Sequence, residues 1–230
     1  MRSDNNKKSN MPSTGDPRKI YSGEYIQQYQ ELYIDDAVEK ISENIVEIEN
    51  LLSEDSSWLD VCCGAGVYFS FFSEVADRVG VDISPGQIEA ALRNNPECKF
   101  FCEDFLEFDH DYDFDLVTCF WQGYYYSDDV ANFCNKMISH VKPGGSLYMD
   151  ILLPGAVRDI SRFDSRFSAE NIDGDKWTIF DPFVEHIGIA PPPKFFEEIF
   201  SKYFKNVRGF TGANLVCYQM ICTNKLTDDE

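Results

Sequence analysis

Between Tyr21 and Leu52, apolar residues recur at helical spacing (Leu32, Ile34, Ala37, Val38, Ile41, Ile45, Ile48, Leu51 and Leu52), which predicts one or two helices ahead of the first strand. From residue 57 the rhythm alternates. Short apolar runs that read as strands ("SWLDV", "RVGVDI", "CKFFC", "FDLVTCFW", "GSLYMDILL") are separated by stretches with helical periodicity ("YFSFFSEVA", "PGQIEAALRN", "DDVANFCNKMISHV"). Such alternation predicts a doubly wound α/β domain, a parallel sheet covered by helices on both faces. Ser84-Pro85 suits a helix start, and "KPGG" at 142–145 suits a helix stop and a turn into the next strand. Beyond Leu153 the pattern changes: "PGAVRDISRFDSRF" reads as helix, "DKWTIFDPFVEHIGI" as extended, "PKFFEEIFSKYF" as an amphipathic helix, and "NVRGF" and "CYQMICT" as closing strands.

Length and charge narrow the partners. The chain has 230 residues, enough for one domain of this class, and carries 20 Lys plus Arg against 40 Asp plus Glu, a formal charge of −20. A field of that sign repels a phosphate backbone, so nucleic acid is not expected as a partner and a small molecule is. No run is long and apolar enough to cross a bilayer, so no membrane partner is expected. The opening "MRSDNNKKSNMPSTGDPRK" has charges with no apolar stretch behind them, which reads as a flexible polar tail over 1–19 and predicts a cytoplasmic protein. The eight cysteines (62, 63, 98, 102, 119, 134, 217 and 222) lack paired CxxC spacing and are expected as reduced, mostly structural thiols.

In a doubly wound sheet, ligands bind beyond the carboxyl ends of the strands, near the point where strand order reverses. Three carboxylates fall there: Asp60 ends the first strand, Asp82 ends the second, and Asp104 follows the third. A carboxylate at the tip of the second strand can accept both hydroxyl protons of a ribose. The dinucleotide pattern G-x-G-x-x-G is not met, because "GAGVYF" places Phe69 at the third glycine.

At these residues the chain resembles the class I S-adenosylmethionine-dependent methyltransferases. "LDVCCGAG" is similar to their D-x-G-x-G-x-G motif, with Cys62 in the first glycine position; "VGVDISPGQI", "CEDF" and "VKPGGSLYMD" resemble three further motifs in the expected order over residues 58–153. The resemblance implies S-adenosyl-L-methionine as cofactor and S-adenosyl-L-homocysteine as product. It also implies a seven-stranded, mostly parallel, Rossmann-like sheet with N-terminal helices. By the same resemblance Gly64 and Gly66 pass beneath the methionine portion beside Cys63, Asp60 helps to hold its amino group, and Asp82 takes the ribose diol. Ile83 and Gln87 border the adenine, and Asp104 with Phe105 reads its edge. The segment "CFWQGYYYSDD" resembles the "GYF" stretch of small-molecule methyltransferases, placing Phe120 and Gln122 at the cofactor and Trp121 and Tyr124 toward the acceptor; Tyr125 and Tyr126 are further candidates for an aromatic wall, the alternative being that at least two of these four aromatics are plain core.

The sulfonium already makes the methyl electrophilic, so alignment and exclusion of water are the main requirements and no metal is needed. A hydroxyl acceptor would profit from a general base, and His186 is the candidate because it lies in the irregular segment able to cover the site. Arg158, Arg162 and Arg166 recur every fourth residue and could clamp an anionic group on the acceptor, or pair with neighbouring acids on an exposed face. The expected organisation is a single domain over 20–230, with a cofactor core at 58–153, an acceptor lid at 154–192 and closing elements at 193–225. The expected activity is methyl transfer to oxygen or nitrogen of a small molecule. A donor-binding sensor or partner subunit and an NAD-dependent oxidoreductase are the alternatives. Acceptor identity and oligomeric state are not legible.

Overall fold

The computed structural model describes residues 16–23, 25–29, 38–211 and 217–227. Residues 1–15 of the expected tail, Leu32, Ile34 and Ala37 lie outside the described residues, as does the side chain of Val38. Helices α1 (Pro17–Ile20), α2 (Tyr25–Tyr29) and α3 (Val38–Glu49) precede strand β1 (Ser57–Val61). There follow β2 (Asp77–Asp82), α4 (Pro85–Asn94), β3 (Lys99–Cys102), β4 (Phe114–Cys119), α5 (Val130–Ser139), β5 (Val141–Leu152), α6 (Pro154–Arg158) and α7 (Ile160–Phe163). The chain continues through β6 (Ser168–Asp173), β7 (Lys176–Phe180), β8 (Glu185–Ile189), α8 (Pro193–Phe200), β9 (Phe204–Thr211) and β10 (Cys217–Lys225).

Seven strands form one sheet in the order β3-β2-β1-β4-β5-β10-β9. Strands β1 to β5 pair in parallel and β10 runs antiparallel to both neighbours, so the sheet is the mostly parallel one expected from the sequence. Strand order reverses between β1 and β4, which places the ligand crevice beyond their carboxyl ends. Period-2 alternation sorts the core. Leu59, Val61, Val117, Cys119, Leu147 and Met149 face α5 and α8, whereas Trp58, Leu116 and Tyr148 face α3 and the segment after β1. The helix starts follow their caps: Ser84 Oγ accepts from Gln87 N with Pro85 in the first turn of α4, and Asp129 Oδ1 accepts from Asn132 N at the start of α5.

Two helices expected from the sequence are cut short. "YFSFFSEVA" forms only a 3-10 turn, Val67–Phe71. Aromatic residues are modest helix formers, and here Phe69 and Phe72 lie edge-on to Trp58 while Asn95 Nδ2 ties down Gly66 O. "PGAVRDISRFDSRF" breaks at Asp159, whose N–H closes α6 on Gly155 O while its carbonyl accepts from Arg162 N. "KPGG" lies inside β5 as a bulge in the pairing with β4, with Gly144 at φ +78. Strands β6-β7-β8 form a separate antiparallel sheet on the far side of the β4–α5 turn. No helix among the described residues is long and apolar enough to cross a membrane.

On the α3 side a buried polar cluster ties helix to sheet. Asn44, fully buried, donates to Tyr68 OH (2.7 Å) and accepts at Oδ1 from Tyr148 OH (2.8 Å) and Gln219 Nε2 (2.9 Å). Buried donors without partners are costly, so Asn44→Ala should lower stability by about 2–4 kcal/mol in urea denaturation; a change below about 1 kcal/mol would mean the cluster holds without it.

Candidate active site

Beyond the carboxyl ends of β1, β2 and β4 the backbone turns sharply. Cys62, Gly64 and Gly66 all take left-handed φ values (+57, +52 and +68). Glycine adopts that region freely and cysteine does not. Cys62 therefore stands just past the end of β1, in a strained turn, and not within the strand end as its motif position suggested. Its side chain fits because residue 123 has none: a Cβ on Gly123 would lie 2.4 Å from Cys62 Cβ. Contact with Cys119 and burial push the Cys62 thiol well above its ordinary pKa, so it behaves as a packing group.

These turns open onto a cavity of about 480 Å³, lined in part by Gly64, Asp82, Ile83, Gln87, Asp104 and Phe105. A smaller cavity of about 50 Å³ shares Cys62, Gly64, Gln87, Phe120 and Trp121 with the first and reaches Asp60, Cys63 and Tyr68. Asp82 accepts from Gly64 N through Oδ2 and from Ser84 N through Oδ1, both at 2.9 Å, so its carboxylate is fixed by backbone on both oxygens while facing the cavity. Burial raises its pKa against the lowering effect of those two bonds. Asp60 sits deeper, where Thr118 Oγ1 donates to its Oδ1 at 2.7 Å and itself accepts from Trp58 Nε1 at 2.9 Å. Desolvation, with the charges of Asp82 and Asp150 and against the Thr118 bond, pushes Asp60 up to about 8.

Cofactor residues expected from the sequence thus converge: Asp60, Cys63, Gly64, Asp82, Ile83, Gln87, Asp104, Phe105 and Phe120 all face one or both cavities. Trp121 faces both, held at φ +54 with its N–H on Asp150 Oδ2 at 3.0 Å. Others stand back. Gly66 supports the turn, where a Cβ would press on Asn95 and Phe100 at 3.0–3.1 Å, and Gln122 donates to Cys217 Sγ. Tyr124 is fully buried, its hydroxyl accepting from Leu152 N, which makes it core and not acceptor wall. Arg158 and Arg162 have 70% and 78% exposed side chains, both on Asp159, and Arg166 pairs with Asp164; the break at Asp159 denies them a common helix face, and none lines either cavity. His186 is buried and does not line the cavities; Tyr126 stands between, its hydroxyl 2.6 Å from His186 Nδ1.

Sequence reasoning missed the cover. Asp16, Arg18, Tyr21 and Tyr29 from the N-terminal segment line the larger cavity, and Ser84 Oγ donates to Tyr21 O at 2.6 Å. The signal was present, since Tyr21, Tyr25 and Tyr29 recur at i, i+4. Asp128 and Asp129 complete a rim on which, among the described residues, six carboxylates (Asp16, Asp82, Glu103, Asp104, Asp128 and Asp129) meet one cation, Arg18.

The sheet order is the one that the resemblance to class I S-adenosylmethionine-dependent methyltransferases implied, with the glycine turn and the acidic strand tips at its switch point. Residues 59–145 match the family model described as "Methyltransferase domain", so the chain carries such a domain over that span. A dTDP-4-amino-2,3,4,6-tetradeoxy-D-glucose N,N-dimethyltransferase of Saccharopolyspora spinosa is 34% identical over 102 residues, 43% of this chain and 41% of the relative. The match thus spans less than half the length of that curated relative. Similar solved structures include Streptomyces venezuelae DesVI (TM-score 0.68, 19% identity, 88% of this chain and 99% of that one). They also include the sugar N-methyltransferase KedS8 of a Streptoalloteichus species (TM-score 0.68, 18% identity, 89% and 94%). CalS10, an amino pentose methyltransferase of Micromonospora echinaspora with S-adenosylmethionine bound, has a TM-score of 0.63 at 16% identity, covering 81% and 90%. At these identities the likeness is one of fold.

Proposed function

We propose that this protein transfers a methyl group from S-adenosylmethionine to an amino nitrogen of a small-molecule acceptor. The observation that carries the reading is the continuous lining from Asp60, past the bare backbone of Gly64 and the fixed carboxylate of Asp82, to the tyrosine-bordered mouth. In it Asp82 would hold the ribose hydroxyls, Ile83 and Gln87 the adenine, Asp104 and the Phe105 backbone its edge, and Asp60 the amino group. Bound there, the donor supplies an electrophilic methyl; the protein supplies alignment and a dry cavity, worth on the order of 7–11 kcal/mol when the geometry is favourable. An excess of carboxylates at the rim favours an amine, drawn in as its ammonium and reacting as the neutral base, over an anionic group, which the remote arginines would not reach. The amino sugar named for the curated relative belongs to the same chemistry at the accepting atom. A cytoplasmic site of action fits eight cysteines none of which forms a disulfide.

The test is incubation with methyl-labelled donor and dTDP-4-amino-2,3,4,6-tetradeoxy-D-glucose, beside a panel of simple amino sugars and aliphatic amines. Mass spectrometry should find label on nitrogen in at least one. Label only on oxygen acceptors in a parallel phenol and alcohol panel would contradict the amine assignment.

Asp60 adds a pH signature. Folded Asp60 keeps its proton to about pH 8, whereas an unfolded aspartate releases it near pH 3.9, so the folded state binds the extra proton between these values and this group's contribution to stability falls as pH rises through that window. A cofactor ammonium beside it requires the carboxylate. S-adenosylhomocysteine binding at pH 7 should therefore release close to one proton, read by calorimetry in buffers of different ionisation enthalpy, and affinity should rise from pH 6 to 8. No release would place the ammonium elsewhere.

A further inference from the structure

Behind the acceptor mouth lies a chain of hydrogen bonds joining three separate parts of the fold. Tyr21 OH and Tyr126 OH, both at the cavity wall, are 3.0 Å apart. Tyr126 OH meets His186 Nδ1 at 2.6 Å, and His186 Nε2 meets Asp181 Oδ2 at 2.9 Å. Tyr25 OH donates to the same Asp181 oxygen at 2.5 Å, and the other oxygen accepts from Phe183 N and Val184 N, each at 2.7 Å. The side chains of His186 and Asp181 are 7% and 0% exposed, so the pair meets the cavity only through Tyr126.

The hydrogen-bond inventory fixes the direction of this chain. Burial favours a protonated Asp181, but the bonds it accepts from His186, Tyr25 and Val184 outweigh it and hold its pKa below the ordinary carboxylate value. An ionised carboxylate can only accept, so Nε2 carries a proton, and a ring able to take up a further proton must leave Nδ1 as an acceptor. In such a ring Tyr126 donates to Nδ1 and keeps its oxygen lone pairs for Tyr21 and the cavity. The titratable groups facing the imidazole are Asp181 from the hairpin before β8, Tyr21 and Tyr25 from the N-terminal cover, and Tyr126 from the turn after β4.

We infer that Tyr126, His186 and Asp181 form a proton relay that takes the proton released by the acceptor nitrogen. This rests on the amine reading of the cavity. Methyl transfer breaks the carbon–sulfur bond, whose electron pair stays on sulfur, and forms a carbon–nitrogen bond, leaving the nitrogen with one proton in excess. That proton passes to Tyr126 oxygen as the Tyr126 proton passes to His186 Nδ1, and the imidazolium so formed is paired with Asp181. His186 acts through Tyr126 as a positioning and proton-storing residue, and Tyr126 alone of the three touches the acceptor.

The first test needs no acceptor. In protein carrying 15N-histidine with S-adenosylhomocysteine added, the His186 resonances, identified by their loss in His186→Gln, should report Nε2 protonated and Nδ1 bare, with Nδ1 shifting in Tyr126→Phe. An Nδ1-protonated ring cannot take the proton and would overturn the relay. The second test uses dTDP-4-amino-2,3,4,6-tetradeoxy-D-glucose as probe. In His186→Asn the Asn oxygen can hold the Tyr126 hydroxyl near its native place but cannot take up its proton. A kcat loss of roughly a hundredfold at unchanged KM for the donor supports the relay; wild-type kcat in this variant reduces His186 to a structural post and overturns it. Should the wild type leave that probe unmethylated, the choice of this amino sugar fails, while the tautomer still decides the relay.

Discussion

Replacing Asp82 with alanine should weaken S-adenosylhomocysteine binding at least a hundredfold. Each oxygen of this carboxylate already accepts one backbone N–H, from Gly64 and from Ser84, so the group is held in one orientation before any ligand arrives. Two charge-assisted bonds to a ribose diol at about 1.5–3 kcal/mol each amount to two decades or more of affinity. The same substitution frees the Gly64 turn, so part of the loss is disordering of the cradle. The two contributions separate in Asp82→Asn, where one backbone bond can persist while the anionic acceptor is gone. Calorimetry should rank wild type far above Asp82→Asn, and that variant at or above Asp82→Ala. Equal affinity in all three would remove Asp82 from the cofactor site.

Gly188→Ala should be the most damaging added methyl among the described glycines. A Cβ there would lie 2.0 Å from Tyr125 O and 2.4 Å from its Cδ1, a backbone collision that no rotamer relieves. Gly188 lies in β8, two residues from His186, and Tyr125 OH donates to Trp177 O at 2.7 Å across the same junction. The added methyl therefore pushes the three-stranded sheet off the turn after β4. A loss of about 3 kcal/mol or more is expected in thermal unfolding, with Trp177 fluorescence changing ahead of the main sheet. Cofactor affinity should stay within a few-fold of wild type because Gly64 and Asp82 lie on other elements, while acceptor turnover falls. An unchanged melting curve would mean that the two parts do not pack as described.

The half of the cavity around Gly64 and Asp82 was legible because it is written locally. A strand tip, a glycine turn and an acidic residue at the end of the next strand are each short-range features, and their order fixes where they meet once the sheet is parallel. Asp60, Gly64 and Asp82 follow from that logic. The tyrosine-bordered mouth was not legible, because its walls are assembled by long-range packing. Tyr21 meets Tyr126 across 105 residues and Tyr25 meets Asp181 across 156, distances over which spacing carries no information. His186 was singled out as the histidine in the covering segment, but only coordinates place it one hydroxyl behind the wall. Of the two readings of the arginines, the ion pairs with Asp159 and Asp164 match the exposed one, while the shared helix face fails because fourth-residue spacing implies it only if the helix is continuous, and it breaks at Asp159.

The central claim is that the joined cavities are a cradle for a sulfur nucleoside. Titration of the unmodified protein with S-adenosylhomocysteine, alongside NADH, tests it most directly. One S-adenosylhomocysteine should bind per chain with saturable heat and NADH should give none; saturable binding of NADH without S-adenosylhomocysteine would contradict it.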